Sequence, residues 1–155
     1  MVDVVAASVR SRMMAGIGGA NTLPEMHLRK MLHAAGFRYR LHAPELPGRP
    51  DLLLPRHKAA IFVHGCFWHR HAGCHWCTQP ATNAVFWERK FASNVNRDRM
   101  NVETLLAHDW RVATIWECSL RGQTAELTLE DLVSWLVGDS PRFETRLVRK
   151  RAPPA

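Results

Sequence analysis

The sequence has no apolar run long enough to cross a membrane. Runs such as Leu52–Leu54 and Leu132–Val137 are far shorter than the about 20 residues that a spanning helix needs. A secretory signal is not expected either, because the apolar start Met1–Ala7 lacks a basic leading segment and Arg10 and Arg12 come too soon after it. We therefore expect a cytoplasmic protein with no membrane partner. In that compartment four cysteines bind metal more often than they form disulfides.

Acidic residues are scarce relative to basic ones. The 155 residues include 21 Lys and Arg but 14 Asp and Glu, which gives a formal net charge of +7. This surplus attracts polyanions, of which nucleic acid is the commonest large one. A small protein can also be basic without binding nucleic acid, so charge alone does not decide the function. The length suits one domain with its own core.

Residues 22–140 are predicted to form a single α/β domain with a mixed sheet. Thr22-Leu23-Pro24-Glu25 has the spacing of a helix capping box, and the apolar positions after it continue at helical spacing to Gly36. The later predicted elements are strands over 37–41, 51–55 and 59–64, a helix over 83–108, a strand over 110–116 and a helix over 127–137. Residues 1–21 are expected to form an N-terminal arm, and residues 141–155 a basic disordered tail.

The segment Ile61–Cys77 concentrates metal-ligand residue types beside bulky aromatic side chains. The chain offers five candidate ligands for one four-coordinate Zn²⁺, namely Cys66, His71, Cys74, Cys77 and the distant Cys118. A closed shell of four such ligands is structural, and it would fasten a loop with little core of its own to the sheet. Either His71 or Cys77 could fill the fourth place. The alternative is that these residues are buried free cysteines and surface histidines.

Pro50-Asp51 stands before a strand that a hairpin joins to a second strand, as in the restriction-endonuclease fold. In that fold the aspartate binds Mg²⁺, which polarises the phosphate and generates hydroxide. Proline followed by aspartate is also a common turn. The second strand departs from the usual pattern, because Phe62-Val63-His64 stands where that superfamily has a carboxylate, one residue and a lysine.

A larger set of residues, spanning 10–122, resembles the very-short-patch-repair (Vsr) mismatch endonucleases. Besides Glu25, the matching segments are Leu46-Pro47-Gly48-Arg49-Pro50-Asp51, His64-Gly65-Cys66-Phe67-Trp68-His69, His71, Pro80-Ala81-Thr82, Phe86-Trp87, Asn94-Val95, Arg97-Asp98-Arg99, Trp110-Arg111-Val112 and Trp116-Glu117-Cys118. Because many of these residues are rare and stand in one order, the resemblance is specific.

The resemblance implies a restriction-endonuclease-like domain that nicks one strand of duplex DNA at T:G mismatches, which arise when 5-methylcytosine deaminates. It implies that Mg²⁺ is bound by Asp51 and the backbone carbonyl of Val63. His69 would be the general base on the attacking water, for which a pKa near neutrality is suited. His64 and Glu25 would support the site. Repair proteins are the further partners that it suggests, and we expect a monomer.

The resemblance also assigns ligands and DNA contacts. The Zn²⁺ ligands that it implies are Cys66, His71, Cys74 and Cys118, with Cys77 as an alternative ligand. Aromatic side chains would insert beside the mismatch, and basic ones would hold phosphates. The implied DNA-binding residues are Phe67, Trp68, Trp87, Met14, Arg49, Arg97 and Arg99, with Arg89 and Lys90 nearby.

Several of these residues have a purely structural alternative. Glu25 is fully explained as a helix cap, and His64 could serve packing alone. His69 could be a spare Zn²⁺ ligand, Phe67-Trp68 could pack against the zinc loop, and Trp87 could be a core residue at the start of its helix.

Two other functions also remain open: a restriction-type endonuclease that cuts paired DNA, and a zinc-stabilised DNA-binding module without catalysis. The presence of both Asp51 and His69 argues against the second of these.

Overall fold

The computed structural model describes residues 21–145 of the chain. Predictions that fall on residues 1–20, including Met14, and on residues 146–155 lie outside this part. The helices and strands in chain order are α1 (Leu23–Ala34), β1 (Arg40–Leu41), β2 (Leu52–Leu54), β3 (Ala59–His64), α2 (Ala84–Ala107), β4 (Arg111–Trp116), α3 (Thr124–Val137) and β5 (Arg142–Glu144). This composition confirms the predicted α/β class.

The five strands form one mixed sheet in the order β1-β2-β3-β4-β5. Strand β2 pairs antiparallel to both β1 and β3, whereas β4 pairs parallel to both β3 and β5. The predicted hairpin is confirmed: Leu52 pairs with Ile61, and a short 3-10 turn at Pro55–His57 joins the two strands. The turn closes at Lys58, which adopts a left-handed conformation with φ 54°.

Helices cover both faces of the sheet, because alternate strand residues point to opposite sides. On one face α1 and α3 pack on β2, β3 and β4 through a cluster that includes Leu28, Ile61, Ile115 and Leu132. On the other face α2 packs through Val102 and Leu105 on side chains such as Phe62. Within residues 21–145 no helix is both long and apolar enough to span a bilayer.

Two predicted boundaries near the sheet edges were wrong. The strand predicted over 37–41 is limited to Arg40–Leu41, because Phe37 and Tyr39 pack against the core cluster of α1 and α3 instead of extending the sheet. The tail predicted from residue 141 begins too early, because Arg142–Glu144 pair with β4. The last helix also begins at Thr124, three residues before the predicted start.

A tight loop before β2 determines where Asp51 lies. Gly48 has φ 75°, and a Cβ atom added to it would lie 2.7 Å from Nδ2 of Asn101 on α2. Arg49 is also left-handed, with φ 48°. The loop therefore reverses direction while in close contact with α2, and only glycine fits at position 48 without displacing a neighbour.

We expect Gly48→Ala to lower the free energy of unfolding by about 1–3 kcal/mol, because it adds both backbone strain and a steric clash. Gly122→Ala is the matched control, since Gly122 has φ 55° but a Cβ there would contact nothing within 4 Å. Urea unfolding of both variants measures the difference. Equal losses in the two variants would contradict the role of the contact with Asn101.

Candidate active site and metal centre

Asp51 lies at the edge of the sheet where β3 ends. It immediately precedes β2, and because β2 runs antiparallel to β3 it stands opposite the last residues of that strand. The backbone N–H of Val63 donates a hydrogen bond to Oδ2 of Asp51 at 2.7 Å. Pairing of two strands thus fixes the carboxylate, and Val63 contacts it through its N–H group.

The environment of the Asp51 carboxylate favours a bound cation. Burial raises the pKa of Asp51 from its usual 3.8 to about 6; the Val63 N–H opposes this shift, and the nearby charge of Glu25 adds to it. His42 and His69 are close enough to lower the pKa slightly. A positive ion would relieve both the burial of the charge and the repulsion by Glu25, and a carboxylate is a suitable hard ligand for Mg²⁺.

Glu25 lies beside Asp51, together with a histidine that the sequence did not single out. One ligand atom each from Glu25, His42 and Asp51 lies within 4.8 Å of the others. Nε2 of His42 is 2.6 Å from Oε1 of Glu25. The predicted capping box is only half formed: the Glu25 N–H donates to Thr22 Oγ1, but Oε2 of Glu25 accepts from the N–H of Asn21, one residue before the cap. Helix capping alone therefore does not explain the contacts that the Glu25 carboxylate makes with His42 and Asn21.

His64, His69 and Asp98 form a second group at the same edge. The rings of His64 and His69 stack with centroids 3.9 Å apart and an angle of 4° between their planes. Nδ1 of His69 lies 2.6 Å from Oδ2 of Asp98 on α2. Because a carboxylate accepts a hydrogen bond from Nδ1–H, this contact leaves Nε2 of His69 free to accept a proton.

The two stacked histidines differ in burial, since His64 is buried and His69 is partly exposed. Burial, and then the charge of His69, lower the pKa of His64 to about 3, although Asp98 partly opposes the shift. His64 is therefore a neutral ring at neutral pH, and it supports His69 by stacking. His69 is partly exposed and hydrogen-bonded to a carboxylate, which suits it better to exchange protons with a ligand.

The structure brings four of the five candidate metal ligands together. The ligand atoms of Cys66, His71, Cys74 and Cys118, all buried, lie within 4.8 Å of one another. Nδ1 of His71 is 3.6 Å from Sγ of Cys66 and 3.5 Å from Sγ of Cys118. A tetrahedral zinc site with bonds of about 2.0–2.3 Å has ligand–ligand edges of about 3.5–3.8 Å. Three sulfurs and one nitrogen at this spacing fit such an ion.

The fifth candidate, Cys77, lies at the border of this cluster. It is partly buried against the four-residue group, and its backbone N–H donates to the carbonyl of Cys74 at 3.0 Å, but its sulfur does not belong to the group of close ligand atoms.

The electrostatics of the four-residue group favour a bound cation. Burial raises the pKa of the Cys66 thiol and lowers the pKa of His71, so without an ion both groups favour the neutral form. An unpaired thiolate cluster is unfavourable here, and a bound cation would stabilise it.

The predicted DNA-binding aromatics form one partly exposed cluster next to the metal centre. Phe67 contacts Trp68, Trp87 and the buried Phe91 in edge-to-face geometry, with centroids 5.2–5.8 Å apart. Phe86 on the first turn of α2 is 60% exposed. Trp87 is only partly buried, as are Phe67 and Trp68, so part of the cluster is exposed to solvent. The predicted phosphate contacts Arg49, Arg97 and Arg99 are all exposed.

Two residues of the site, His42 and Asp98, were not predicted from the sequence. Asp98 stood in a matching segment but received no role, and His42 appeared in none. Both contacts join residues far apart in the chain, His69 with Asp98 and Glu25 with His42, so no local spacing signals them.

A carboxylate on a hairpin, a histidine–carboxylate pair and a separate cysteine–histidine cluster lie beside basic and aromatic surface, and this arrangement is compatible with a metal-dependent nuclease. The model of the DNA mismatch endonuclease Vsr family matches residues 2–77. DNA mismatch endonuclease Vsr of Escherichia coli is 39% identical over 142 residues, which cover 90% of each chain. This chain belongs to the Vsr family and is an endonuclease that acts on DNA.

Other relatives are named as nicking enzymes. The type II nicking enzyme V.XorIIP of Xanthomonas oryzae pv. oryzae is 40% identical over 120 residues, which cover 77% of this chain and 88% of the relative. The type II nicking enzyme V.NmeAIP of Neisseria meningitidis is 37% identical over 123 residues, which cover 79% and 87%. These relatives support a nicking activity on DNA for the family.

For the metal centre we expect Cys118→Ala to lose the bound ion and to lower the melting temperature, because it removes one of four ligands from a buried cluster. Cys77→Ala should keep the ion, since Cys77 lies outside the ligand group. Elemental analysis of both purified variants measures the metal content. Loss of the ion in Cys77→Ala, with retention in Cys118→Ala, would contradict this assignment.

For Asp51 we expect Asp51→Asn to raise the melting temperature at pH 7.5, without added divalent ions, by on the order of 5 °C. The folded pKa of about 6 exceeds the usual 3.8, so the ionised carboxylate costs folding free energy above pH 6. Below pH 3.8 it is protonated in both states, and the gain should disappear as the pH falls to that range. Thermal unfolding between pH 4 and 7.5 tests this; a gain independent of pH would contradict it.

Proposed function

We propose that this protein nicks one strand of duplex DNA at T:G mismatches, using Mg²⁺ at Asp51 and a structural Zn²⁺ at the four-residue centre. The observation that supports a hydrolytic site most directly is the pairing of His69 with Asp98 at 2.6 Å, beside a carboxylate whose pKa is influenced by that same histidine. A base and a metal-binding carboxylate at one strand edge are the minimum machinery for phosphodiester hydrolysis. The sheet and its flanking helices are compatible with a restriction-endonuclease-like fold.

Each residue of the site has a separate role in the proposed reaction. Asp51, with the Val63 carbonyl, would hold Mg²⁺, which when bound would polarise the phosphate and acidify water. His69 accepts the proton of the attacking water at Nε2, since Asp98 takes the hydrogen bond from Nδ1. Asp98 also stabilises the imidazolium that forms. His64 keeps the His69 ring in place by stacking and adds no charge of its own.

Mismatch selection is assigned to the aromatic cluster. A T:G wobble pair is more easily unstacked than a correctly paired step, and flat side chains can replace the lost stacking. Phe67, Trp68 and Trp87 lie together and are only partly buried, so they can present such a wedge. Exposed Arg97 and Arg99 on α2 would hold the phosphates next to it.

The names of the relatives support two features of the proposed activity, action at a mismatch and cleavage of one strand. The relative from Escherichia coli is named a mismatch endonuclease, and those from Xanthomonas oryzae and Neisseria meningitidis are named nicking enzymes. Cleavage of one strand at a mismatch combines both. The T:G identity of the mismatch and the use of Mg²⁺ are what the resemblance to the Vsr mismatch endonucleases implies.

The direct test uses end-labelled duplexes that differ at one position, T:G, T:A or C:G, incubated with the protein and Mg²⁺. We expect a nick in the T strand of the T:G duplex and intact paired duplexes. Cleavage of paired duplexes would favour a restriction-type enzyme instead. Binding without cleavage under any divalent ion would contradict both catalytic functions.

For the base we expect His69→Ala to lower the nicking rate by about 10²–10⁴-fold, the range that general-base catalysis contributes. Asp98→Asn should fall within the same range, because an amide can also donate to Nδ1 and so favour the wrong tautomer of His69. Asp131→Asn, at an exposed position of α3, is the matched control and should behave as wild type. Single-turnover rates on the T:G duplex measure the effect; an unchanged rate for Asp98→Asn would remove Asp98 from the mechanism.

A further inference from the structure

Glu25 is held by a buried ion pair that helix capping does not require. The side chain of Glu25 is 1% exposed, and that of Arg29, one turn later on α1, is 10% exposed. Nη2 of Arg29 donates to Oε1 of Glu25. Burying a guanidinium is unfavourable unless it is closely paired, so this pair indicates a need for Glu25 in a defined position.

The donors to Glu25 come from three separate parts of the chain. Oε1 contacts Arg29 from the next turn and His42 from the loop that leads towards Asp51, and Oε2 accepts from the N–H of Asn21. Nη2 of Arg29 also donates to Oδ1 of Asn21 at 2.7 Å. Three donors in different directions fix both the position and the plane of the carboxylate.

The same loop connects Glu25 to Asp51. The N–H of His42 donates to the backbone carbonyl of Asp51 at 3.2 Å, while its side chain reaches Glu25. His42 adopts the left-handed conformation, with φ 48°, which is uncommon for a non-glycine residue. His42 is thus a physical link between the two carboxylates.

We propose that Arg29 and His42 are positioning residues, which hold the Glu25 carboxylate against the cation site at Asp51. This inference rests on the proposed function, because it concerns the same metal. Arg29 and His42 occupy Oε1, so Oε2 is the oxygen with capacity left for a water of the bound ion. Such outer partners of a metal site orient the groups that contact the ion and its waters.

Four variants test the proposal. Arg29→Met and His42→Ala each remove one donor to Oε1, whereas His42→Gln keeps an N–H donor near that position. Arg38→Met is the matched control: Arg38 is exposed and bonds only to the carbonyls of His33 and Phe37 among the described residues. A further variant, Asp51→Ala, identifies the ion that is being measured. Mn²⁺ binding to the zinc-loaded, DNA-free protein, followed by electron paramagnetic resonance, gives a readout independent of nicking.

We expect Arg29→Met and His42→Ala to weaken Mn²⁺ binding, and to raise the Mg²⁺ concentration for half-maximal nicking, by about 10- to 100-fold. His42→Gln and Arg38→Met should remain close to wild type, and Asp51→Ala should abolish the signal. His42 is partly exposed, so His42→Ala gives a result even where Arg29→Met does not fold.

Lower melting temperatures with unchanged Mn²⁺ and Mg²⁺ dependence would show a purely structural role and overturn the proposal. A wild-type protein that binds Mn²⁺ through Asp51 but nicks no duplex would contradict the proposed function instead. The Mn²⁺ affinities of the variants would still decide whether Arg29 and His42 position the site.

Discussion

The parallel pairing of β3 with β4 is the constraint on which the rest of the site depends. The two strands are in register from Ala59 opposite Arg111 to His64 opposite Trp116, and both end at the same edge of the sheet. The segments after the two strands are therefore brought together: the loop after His64, which carries Cys66, His71 and Cys74, and Cys118 after Trp116. The antiparallel hairpin adds Asp51 to that edge by pairing β2 with β3. Asp51, the loop after His64 and Cys118 therefore lie at one edge of the sheet, although they are far apart in the chain.

Trp116 contacts both the candidate metal centre and the stacked pair of His64 and His69. Its ring stacks on His71 with centroids 4.2 Å apart and meets His64 edge-on at 5.3 Å. Its Nε1 donates to Glu144 of β5 at 2.8 Å, so the edge strand fixes the tryptophan. A metal ion bound to His71 would therefore also stabilise the Trp116 ring, against which His64 packs.

Local patterns predicted much of the fold, because the helices and the β2–β3 hairpin carry periodic apolar residues and turn signals of their own. Strand β5 escaped prediction because Arg-Phe-Glu is short and charged, and its pairing is decided by the free edge of β4. Spacing gave five candidate metal ligands, because four of them lie in one loop, but only the geometry shows that Cys66, His71, Cys74 and Cys118 group closely without Cys77. His42 and Asp98 could not be found locally, because only tertiary packing brings them to Glu25 and His69.

We propose that one sheet edge carries two different metal centres with separate roles. A crystal of the protein with a T:G duplex and Mn²⁺, analysed by anomalous diffraction at the zinc and manganese edges, tests it most directly. We expect a zinc peak among Cys66, His71, Cys74 and Cys118, and a manganese peak at Asp51 with Nε2 of His69 facing a water of that ion. Manganese bound among His64, His69 and Asp98 instead, or no ion at Asp51, would contradict it.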